Sequence, residues 1–548
     1  MEKVRRSART AAASKPTPAS QPEKPAARGK ARGAKRPATP TDPSPSPPPE
    51  QKRSKTEESL KETNGDAKPN GLGPKPSGKL TKQSSKSVAD FVQTKPYFNP
   101  LPIPPEPRRP GLLLFVWGAG NFGQFGMGED QLGELHKPAR SKWVEQGMAE
   151  GRFGSIEGAG LESVAAGGLY SLFVDENGTI WSCGTNDDAA LGRITTGVPD
   201  PDKPGEFLDV DTLTATPHPI QSLIDENFRA VRIAAGDSIS AAISATGDLR
   251  AWGHFRANEG ALGFSNGHKH QVLPIPIMEL PVKPGDMEKF VAVAAGNNHL
   301  IVMTTHGNVY TWGAGEQGQL GRKVIERRKI HGTVPERVVL GTRSRKAIFI
   351  GAGNYTSFAV DDQGDVWGWG LNTMGQTGTG VPNAKLDHTE VQLPKKVIGL
   401  SRHELNGESV VEIAGGDHHT LFLTSGGRVF AVGRSDYGQL GIPEDYPAFA
   451  DREFPDYITI PTQVPFPEHD DPVRHVTTGT HCNMAVTEGG ALYAWGQGEQ
   501  SELGLGVDGD KAETPTVVVR RAGGPFAACD VACGGQHTLA LLRRKTAA

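Results

Sequence analysis

Short runs in which apolar residues alternate with small or polar ones recur along most of the chain. One pattern consists of an apolar residue, two small residues, a Gly and then, after three positions, alternating apolar residues, as in VAAGGLYSLFV and IAGGDHHTLFL. Alternation with a period of two predicts β-strands with one buried face, and the Gly predicts a tight connection. The Gly of this pattern recurs at seven positions: 167, 236, 296, 353, 416, 479 and 534.

A second pattern, an apolar strand ending in Gly, follows six of these copies after a turn such as ENG or SGG, and its seventh copy, LLLFVWG, stands at the front of the repeats. Seven small antiparallel sheets arranged radially leave only short, protected edges, so we predict an all-β fold, a seven-bladed β-propeller. The second-pattern copy at the front has no first-pattern copy before it, and the last first-pattern copy has no second-pattern copy after it. We therefore predict that one blade pairs residues 112–126 with residues 531–542 and closes the ring. The Gly residues of the second pattern are at 118, 184, 253, 313, 370, 433 and 496.

The charge of the chain is divided between its two ends. The formal net charge is −3, but residues 1–95 hold 21 Lys and Arg against 9 Asp and Glu, which leaves the remainder at −15. Residues 1–95 are rich in Pro, Ser, Lys and Ala and have one aromatic residue, so we predict a disordered basic tail. Residues 96–110 read as a Pro-rich, extended linker, and residues 111–545 as the propeller.

Two basic clusters in the tail, RGKARGAKR (28–36) and QKRSK (51–55), suit a nuclear import receptor or the phosphate backbone of DNA. The alternative is a solvated, charged linker. We expect a nuclear targeting signal and DNA contacts. The residues that would provide them are Arg28, Lys30, Arg32, Lys35, Arg36, Lys52, Arg53 and Lys55.

Several classes of site are not indicated by the sequence. It has no Ser-His-Asp signature, no phosphate-binding loop of the Walker type and no metal-ligand spacing, so we expect no cofactor, no metal and no covalent chemistry. Of the four Cys residues, Cys529 and Cys533 are four positions apart without a second pair nearby, and we interpret both as core thiols. No apolar run approaches the roughly 18 residues that cross a membrane, so we expect no membrane association.

Polar side chains follow the repeated Gly in several copies of the first pattern, and equivalent positions are expected to form a ring on one face. Two interpretations are open: a binding or catalytic ring, or structural side chains that bond neighbouring blades. His418 lies one place before the shared His position and is therefore the better functional candidate. The ring comprises Asp237, Asn298, His299, His418, His419 and His537.

Several segments are similar to those of a known family. WGAGNFGQFGMGE, CGTNDDAALGR, AAGDSISAAISATGDLRAWGHFRANEGALG, WGAGEQGQLGR and GGDHHT resemble the regulator of chromosome condensation family, the guanine-nucleotide exchange factors of the small GTPase Ran, and suggest a fungal-type member. The resemblance covers residues 110–545. It implies a nuclear, chromatin-associated exchange factor whose partners are Ran, chromatin (nucleosomal DNA and histones) and a nuclear import receptor.

The resemblance also implies a site. A short hairpin of the third blade, within HFRANEGALG, would wedge against the phosphate-binding region of the GTPase. This wedge comprises His254, Phe255, Arg256, Ala257, Asn258, Glu259 and Gly260. The residues that would face the GTPase are Asp237, Arg256, Asn298, Arg322, His418 and His537.

Three positions depart from the family pattern: Asn121 and Asn298 replace a common Asp, and Tyr170 replaces a common His. Asn298 matters most, because Asn keeps the hydrogen-bond acceptor but loses the charge. Two other functions remain open at this point. One is a propeller scaffold that binds chromatin or another protein without nucleotide exchange, and the other is a propeller enzyme that uses the His and Asp ring for hydrolysis.

Overall fold

The computed structural model of the chain describes residues 93–380, 389–450 and 456–545. Strands dominate these residues, as the sequence predicts, and helices are few and short. The helices are α1 (Lys142–Ala149), α2 (Val210–Ala215), α3 (Gln221–Asp225) and α4 (Pro447–Ala450), with 3₁₀ helices at Glu129–Gln131 and Glu326–Thr333.

The strands follow one another along the chain with short connections. The first half contains β1 (Leu113–Ala119), β2 (Glu134–Arg140), β3 (Leu161–Ala166), β4 (Tyr170–Asp175), β5 (Ile180–Gly184), β6 (His218–Pro219), β7 (Ala230–Ala235), β8 (Ile239–Ser244), β9 (Leu249–Gly253), β10 (Arg256–Ala257), β11 (Gly260–Ala261), β12 (Gln271–Ile275), β13 (Val282–Lys283), β14 (Asp286–Met287), β15 (Phe290–Ala295), β16 (His299–Thr304), β17 (Val309–Gly313) and β18 (Glu336–Val338). The second half contains β19 (Ala347–Ala352), β20 (Thr356–Asp361), β21 (Val366–Leu371), β22 (Glu390–Lys396), β23 (Val410–Gly415), β24 (His419–Thr424), β25 (Val429–Arg434), β26 (Tyr457–Gln463), β27 (Val473–Thr478), β28 (Cys482–Thr487), β29 (Leu492–Gln497), β30 (Lys511–Val519), β31 (Phe526–Cys533) and β32 (His537–Arg544).

These strands form antiparallel groups of four, which we number as sheets. Sheet 1 contains β2, β1, β32 and β31 in that order, and sheets 2 to 7 follow along the chain as β3–β6, β7–β9 with β12, β15–β18, β19–β22, β23–β26 and β27–β30. A single parallel bridge between Ala352 and Ala414 joins sheets 5 and 6. The hairpins β10–β11 and β13–β14 stand apart from the sheets.

Sheet 1 combines strands from near the two ends of the described part of the chain. β1 pairs with β32 in antiparallel register, from Leu113 opposite Leu542 to Gly118 opposite His537. The predicted pairing of residues 112–126 with residues 531–542 is therefore observed. It satisfies backbone groups that would otherwise remain unpaired at two sheet edges.

Apolar side chains fill the space between consecutive sheets, including the space between sheets 7 and 1. Five copies of the second pattern have a Trp before the Gly. In four of them the indole N–H donates to a carbonyl in a loop of the preceding sheet, which adds a polar link. These bonds run from Trp117 to Glu502 (2.6 Å), Trp252 to Ala190 (2.8 Å), Trp369 to Gln319 (3.0 Å) and Trp495 to Gln439 (3.1 Å). The bond of Trp117 joins the first strand of the chain to sheet 7.

The second pattern ends in Gly because a side chain would not fit at this position. Gly253 has a φ of 107°, and a Cβ there would overlap the carbonyl oxygen of Ser238 at the start of the neighbouring strand. Only Gly adopts such a φ without strain and permits this close approach. The equivalent Gly in each of the other repeats also has a positive φ, which explains why this Gly recurs in the sequence.

The described residues that precede β1 pack against the sheets. The backbone N–H groups of Thr94 and Lys95 donate to the carbonyl of Gly285, and the buried Asn99 side chain donates to the carbonyls of Thr304 and Ala347. Leu101 lies against Gly247 in the turn before β9, and Arg109 pairs with Glu176 in the turn after β4. Residues 93–110 thus form a strap over the turns between the second and third strands of sheets 2, 3 and 4. The basic clusters at 28–36 and 51–55 lie outside the described residues.

A central cavity of about 360 Å³ is lined by the small residues of the first pattern. Three charged side chains from consecutive sheets meet beside it: Glu412 of sheet 6, His475 of sheet 7 and Asp530 of sheet 1. Nδ1 of His475 lies 2.8 Å from Oε1 of Glu412, and Nε2 lies 3.4 Å from Oδ1 of Asp530. This central cluster joins three sheets through charge as well as through apolar packing.

Candidate functional site

The hairpin β10–β11 projects from the end of β9, away from the strap. The turn that the strap covers in sheet 3 lies at the start of β9, and the hairpin follows its last residue, Gly253. His254 and Phe255 are buried at the base of the hairpin, whereas Arg256, Asn258 and the tip are largely exposed. The first two residues of the predicted wedge therefore anchor the hairpin, and its exposed part begins at Arg256.

Arg256 lies between two carboxylates from other parts of the fold. Its guanidinium forms an ion pair with Asp188, in a loop of sheet 2, and another with Asp237, at 3.4 Å. Burial opposes ionisation of Asp188, but the hydrogen bond and charge of Arg256 outweigh it and lower the pKa of that carboxyl. Burial raises the pKa of Asp237, against the charge of Arg256. The structure thus brings Asp237 and Arg256 together.

Asn298 supports the same hairpin from sheet 4. Its Oδ1 accepts the backbone N–H of Arg256 at 2.8 Å. An amide oxygen performs this acceptor role as an Asp carboxylate would, so the departure at this position keeps the backbone contact while removing one negative charge. Asn298, Asp237 and Arg256 form one contiguous group.

His418 lies at the same end of the strands as the hairpin but in sheet 6, directly before β24. It is half-buried beside Asp417, Arg434 and His481, and burial lowers its pKa despite the charge of Asp417. A neutral imidazole that retains some exposed surface can donate or accept a hydrogen bond to a docked partner. His418 therefore stays a candidate contact, separate from the hairpin.

Arg322 does not fit the expected role on the GTPase-facing surface. Its side chain is only 13% exposed, and its guanidinium donates to the carbonyls of Gly332 (3.0 Å) and Val334 (2.8 Å). Arg193, at the equivalent position after a Gly-rich corner in sheet 2, likewise donates to the backbone carbonyls of Ser182 in β5 and Leu213 in α2. The Arg at this repeat position secures the long connection to the fourth strand.

His537 is also a structural residue, because its side chain has no exposed surface. This burial corrects the expectation that it faces the GTPase. Burial lowers the pKa of His537 to about 3 and those of His299 and His419 to about 4, so all three are neutral at physiological pH. In each, Nε2 lies 2.8–2.9 Å from a polar side chain of the next sheet: His299 and Ser357, His419 and Asn483, His537 and Ser171. Tyr170 replaces His at this position and links to Ser240 in the same manner.

Three residues at the hairpin are absent from the sequence prediction: Asp188, Glu316 and Lys329. Asp188 and Glu316 lie in Gly-rich corners whose acidic residues look alike from repeat to repeat. The sequence contains one indication that the hairpin has local partners. Arg256 stands four residues after a Trp, where the other repeats carry Asn121, Asp187, Glu316, Thr373, Asp436 and Glu499. A basic residue at a position that is acidic in most copies indicates a special local partner.

Within the described ranges, no group of three or more His, Cys, Asp and Glu side chains is arranged to hold a metal ion. No helix in the same ranges has the length and apolarity needed to cross a bilayer.

A family profile described as the RCC1-like domain matches residues 113–540, which is most of the chain. The chain belongs to the RCC1-like family. This result confirms the resemblance drawn from the repeat segments. The hairpin β10–β11 and the residues around it lie within the matched range.

Curated RCC1-like relatives match over most of their own length. "Protein pim1" of Schizosaccharomyces pombe is 34% identical over 447 residues, which are 80% of this chain and 76% of that protein. "Guanine nucleotide exchange factor SRM1" of Saccharomyces cerevisiae is 32% identical over 447 residues, 78% of this chain and 86% of that protein.

Solved structures of RCC1-like proteins have the same architecture. Prp20p of S. cerevisiae, described together with its binding properties to Gsp1p and histones, has a TM-score of 0.67 at 29% identity and covers 80% of this chain and 93% of its own. A structure of Kap60 bound to yeast RCC1 (Prp20) gives a TM-score of 0.67 at 27% identity, over 87% of this chain and 97% of the matched chain.

Proposed function

We propose that the chain is a guanine-nucleotide exchange factor for the small GTPase Ran. The observation that carries the proposal is the exposed β10–β11 hairpin, held in place by Asp188, Asp237 and Asn298 in a chain of the RCC1-like family. A relative named as a guanine-nucleotide exchange factor supports it. The GTPase-facing surface would comprise Asp237, Arg256, Asn298 and, at a separate point, His418.

Exchange of this kind requires binding energy and no covalent step. An exchange factor binds the nucleotide-free GTPase more tightly than the nucleotide-bound form, so by linkage it weakens nucleotide binding by the same factor. Each tenfold acceleration of release needs about 1.4 kcal/mol of this differential binding. A hairpin inserted against the phosphate-binding region can supply it by competing with the contacts that hold the phosphates. The net charge of −15 outside the tail would also attract a basic GTPase surface.

Changes in the hairpin are expected to lower exchange without affecting the fold. Arg256→Ala, or deletion of Ala257–Gly260, should reduce GDP release from Ran at least tenfold, because the changes remove hairpin contacts that would be made only with the destabilised GTPase. Release of a fluorescent GDP analogue measures the rate. Arg520→Ala is the matched control, since Arg520 is an exposed arginine at the opposite end of the strands.

Thermal unfolding of these variants should stay close to that of the unaltered chain. If Arg256→Ala accelerates GDP release from Ran as much as Arg520→Ala does, the hairpin is not the wedge. If the unaltered chain itself does not accelerate release, the exchange proposal is wrong and the scaffold interpretation takes its place.

We further propose a nuclear, chromatin-associated role for the basic tail, with an import receptor bound through residues 28–36 and 51–55. The structure of a yeast RCC1 protein with Kap60, and the described binding of Prp20p to histones, support these partner classes. The tail would contribute DNA contacts through phosphate charge. Both clusters lie outside the described residues, so the proposal rests on the sequence and on these relatives.

Removal of residues 1–92 is expected to weaken DNA binding and nuclear accumulation while leaving GDP release unchanged, because it spares the strap. The salt dependence of DNA affinity should also become shallower, by nearly one unit of log–log slope for each phosphate that the protein no longer neutralises. Binding measured between about 50 and 200 mM salt tests this expectation. A full-length chain with the eight basic residues of the two clusters changed to Gln is the control for length. Unaltered DNA affinity and nuclear accumulation in both variants would exclude the proposed role.

For the fold, we propose that the seven sheets are the blades of a closed ring. The support is the pairing of β1 with β32 and the apolar clusters between consecutive sheets, including the cluster between sheets 7 and 1. The charged cluster of Glu412, His475 and Asp530 points to the same order of sheets 6, 7 and 1 around the central cavity.

A further inference from the structure

The hairpin has a second set of polar contacts, on the side opposite to Asp188 and Asp237. Oε2 of Glu316 accepts the backbone N–H of Asn258 at 2.7 Å, and Gln317 donates to the side chain of Asn258 at 3.0 Å. Nζ of Lys329 lies 3.0 Å from both Glu316 and Glu259. These residues form a clamp between the tip of the hairpin and sheet 4.

Glu316 is the centre of this clamp. Only 9% of its side chain is exposed, and a buried carboxylate requires polar partners that compensate for the loss of water. The two oxygens are used differently: one accepts a backbone N–H of the hairpin, and the other contacts the ammonium of Lys329. A charge-assisted bond to a backbone N–H fixes the position of the hairpin rather than that of one side chain.

Lys329 comes from the 3₁₀ segment Glu326–Thr333, an insertion between the third and fourth strands of sheet 4. Its side chain is 24% exposed and bridges Glu316 to Glu259, which is on the hairpin itself. Glu316 and Lys329 contact the turn of the hairpin but keep only 9% and 24% of their own side chains exposed. Because little of their surface is open to a docked GTPase, we expect their effect on exchange to act through the hairpin.

We propose that Glu316 and Lys329 are positioning residues that hold the wedge hairpin in its working orientation before the GTPase arrives. This inference rests on the proposed exchange function. A two-stranded hairpin with two residues in each strand has little stability of its own. The clamp offsets the conformational entropy that the hairpin would otherwise lose during docking, which is the general advantage of preorganisation.

The repeats supply a matched control. Glu499 occupies the position of Glu316 in sheet 7, four residues after the Trp of its repeat. Glu499 is exposed and accepts a hydrogen bond from Gln497 in the same loop at 2.9 Å. Glu499→Ala therefore removes the same chemical group from the equivalent corner without touching the hairpin.

The test compares Glu316→Ala, Lys329→Met and the double variant with Glu499→Ala in the full chain. We expect kcat for GDP release from Ran to fall about tenfold in each clamp variant with KM within twofold, because docking contacts remain while the hairpin loses its orientation. The double variant should be no slower than Glu316→Ala, since both changes disable one clamp. Glu316→Gln, which retains an acceptor for the Asn258 N–H, should recover part of the rate.

Amide hydrogen exchange in the free protein provides a readout that does not depend on the GTPase. The Asn258 amide should exchange at least fivefold faster in Glu316→Ala than in the unaltered chain or in Glu499→Ala, with the same thermal midpoint. If the unaltered chain does not accelerate GDP release from Ran, the proposed exchange function is wrong. The exchange rate of the Asn258 amide then decides by itself whether the clamp exists. The positioning role is wrong if the Asn258 amide exchanges at the same rate in Glu316→Ala as in the unaltered chain. It is also wrong if the clamp variants accelerate GDP release from Ran as much as Glu499→Ala does.

Discussion

A chain that ends at Arg521 is expected to lose cooperative folding. The truncation removes β31 and β32; β32 pairs with β1, and both strands pack against sheets 2 and 7. Leu539, Leu541 and Leu542 are at most 1% exposed, and burial of each such side chain contributes about 1.5–3 kcal/mol. Their sum is comparable to the roughly 5–15 kcal/mol that stabilises a typical domain. The loss should therefore spread to all seven sheets.

Thermal unfolding and soluble yield measure this effect. The control is a chain that lacks residues 1–92, which should unfold within a few degrees of the unaltered chain because the strap and all seven sheets remain. A chain ending at Arg521 that shows the same sharp transition as this control would mean that sheet 1 contributes little to the rest, and that the proposed ring does not close through it.

Replacement of His475 is expected to cost about 3 kcal/mol, because it leaves Glu412 and Asp530 near each other without the cation between them. Burial alone would lower the pKa of His475. The charge and hydrogen bond of Glu412, followed by the charge of Asp530, instead raise it to about 10. The side chain retains a quarter of its surface open, so water reduces the effect relative to that of a fully buried pair.

The pH dependence follows from the direction of this shift. A His whose pKa is raised on folding stabilises the native state fully below its unfolded value of about 6.5, and this stabilisation is lost as the pH rises toward 10. Urea unfolding at pH 6.5 and 9.5 should show a large difference between the unaltered chain and His475→Gln at the lower pH and a small one at the higher pH. His403→Gln, at an exposed histidine, is the control. An equal difference at both pH values would contradict a charged His475.

The repeat pattern predicts the strands well because each copy carries its own turn and its own Gly. It also predicts the pairing of the chain ends, since the odd copy at the front lacks a partner in sequence. The pattern cannot predict which polar residues of a repeat are buried. Arg322 and His537 look like surface residues in the sequence, but one bonds its own loop and the other links two sheets.

The residues around the hairpin are missed for a different reason. Asp188, Glu316 and Lys329 lie in sheets 2 and 4, and they meet the hairpin of sheet 3 only once the sheets are packed side by side. Corner residues of the same type, such as Glu499, make only local contacts elsewhere. Sequence spacing alone therefore does not separate the clamp from an ordinary solvated corner.

The composition of sheet 1 has a consequence for how the protein is made. A ribosome synthesises β1 and β2 long before β31 and β32, so the first strands of the folded region emerge without the partner that will cover β1. Until translation is nearly finished, β1 presents unpaired backbone groups and a row of apolar side chains to the cell. Sheets 2 to 7 can form as they emerge, but sheet 1 can form only at the end. A nascent chain that stalls or terminates before β31 is therefore the species that most needs a chaperone, and the one that quality-control proteases would recognise.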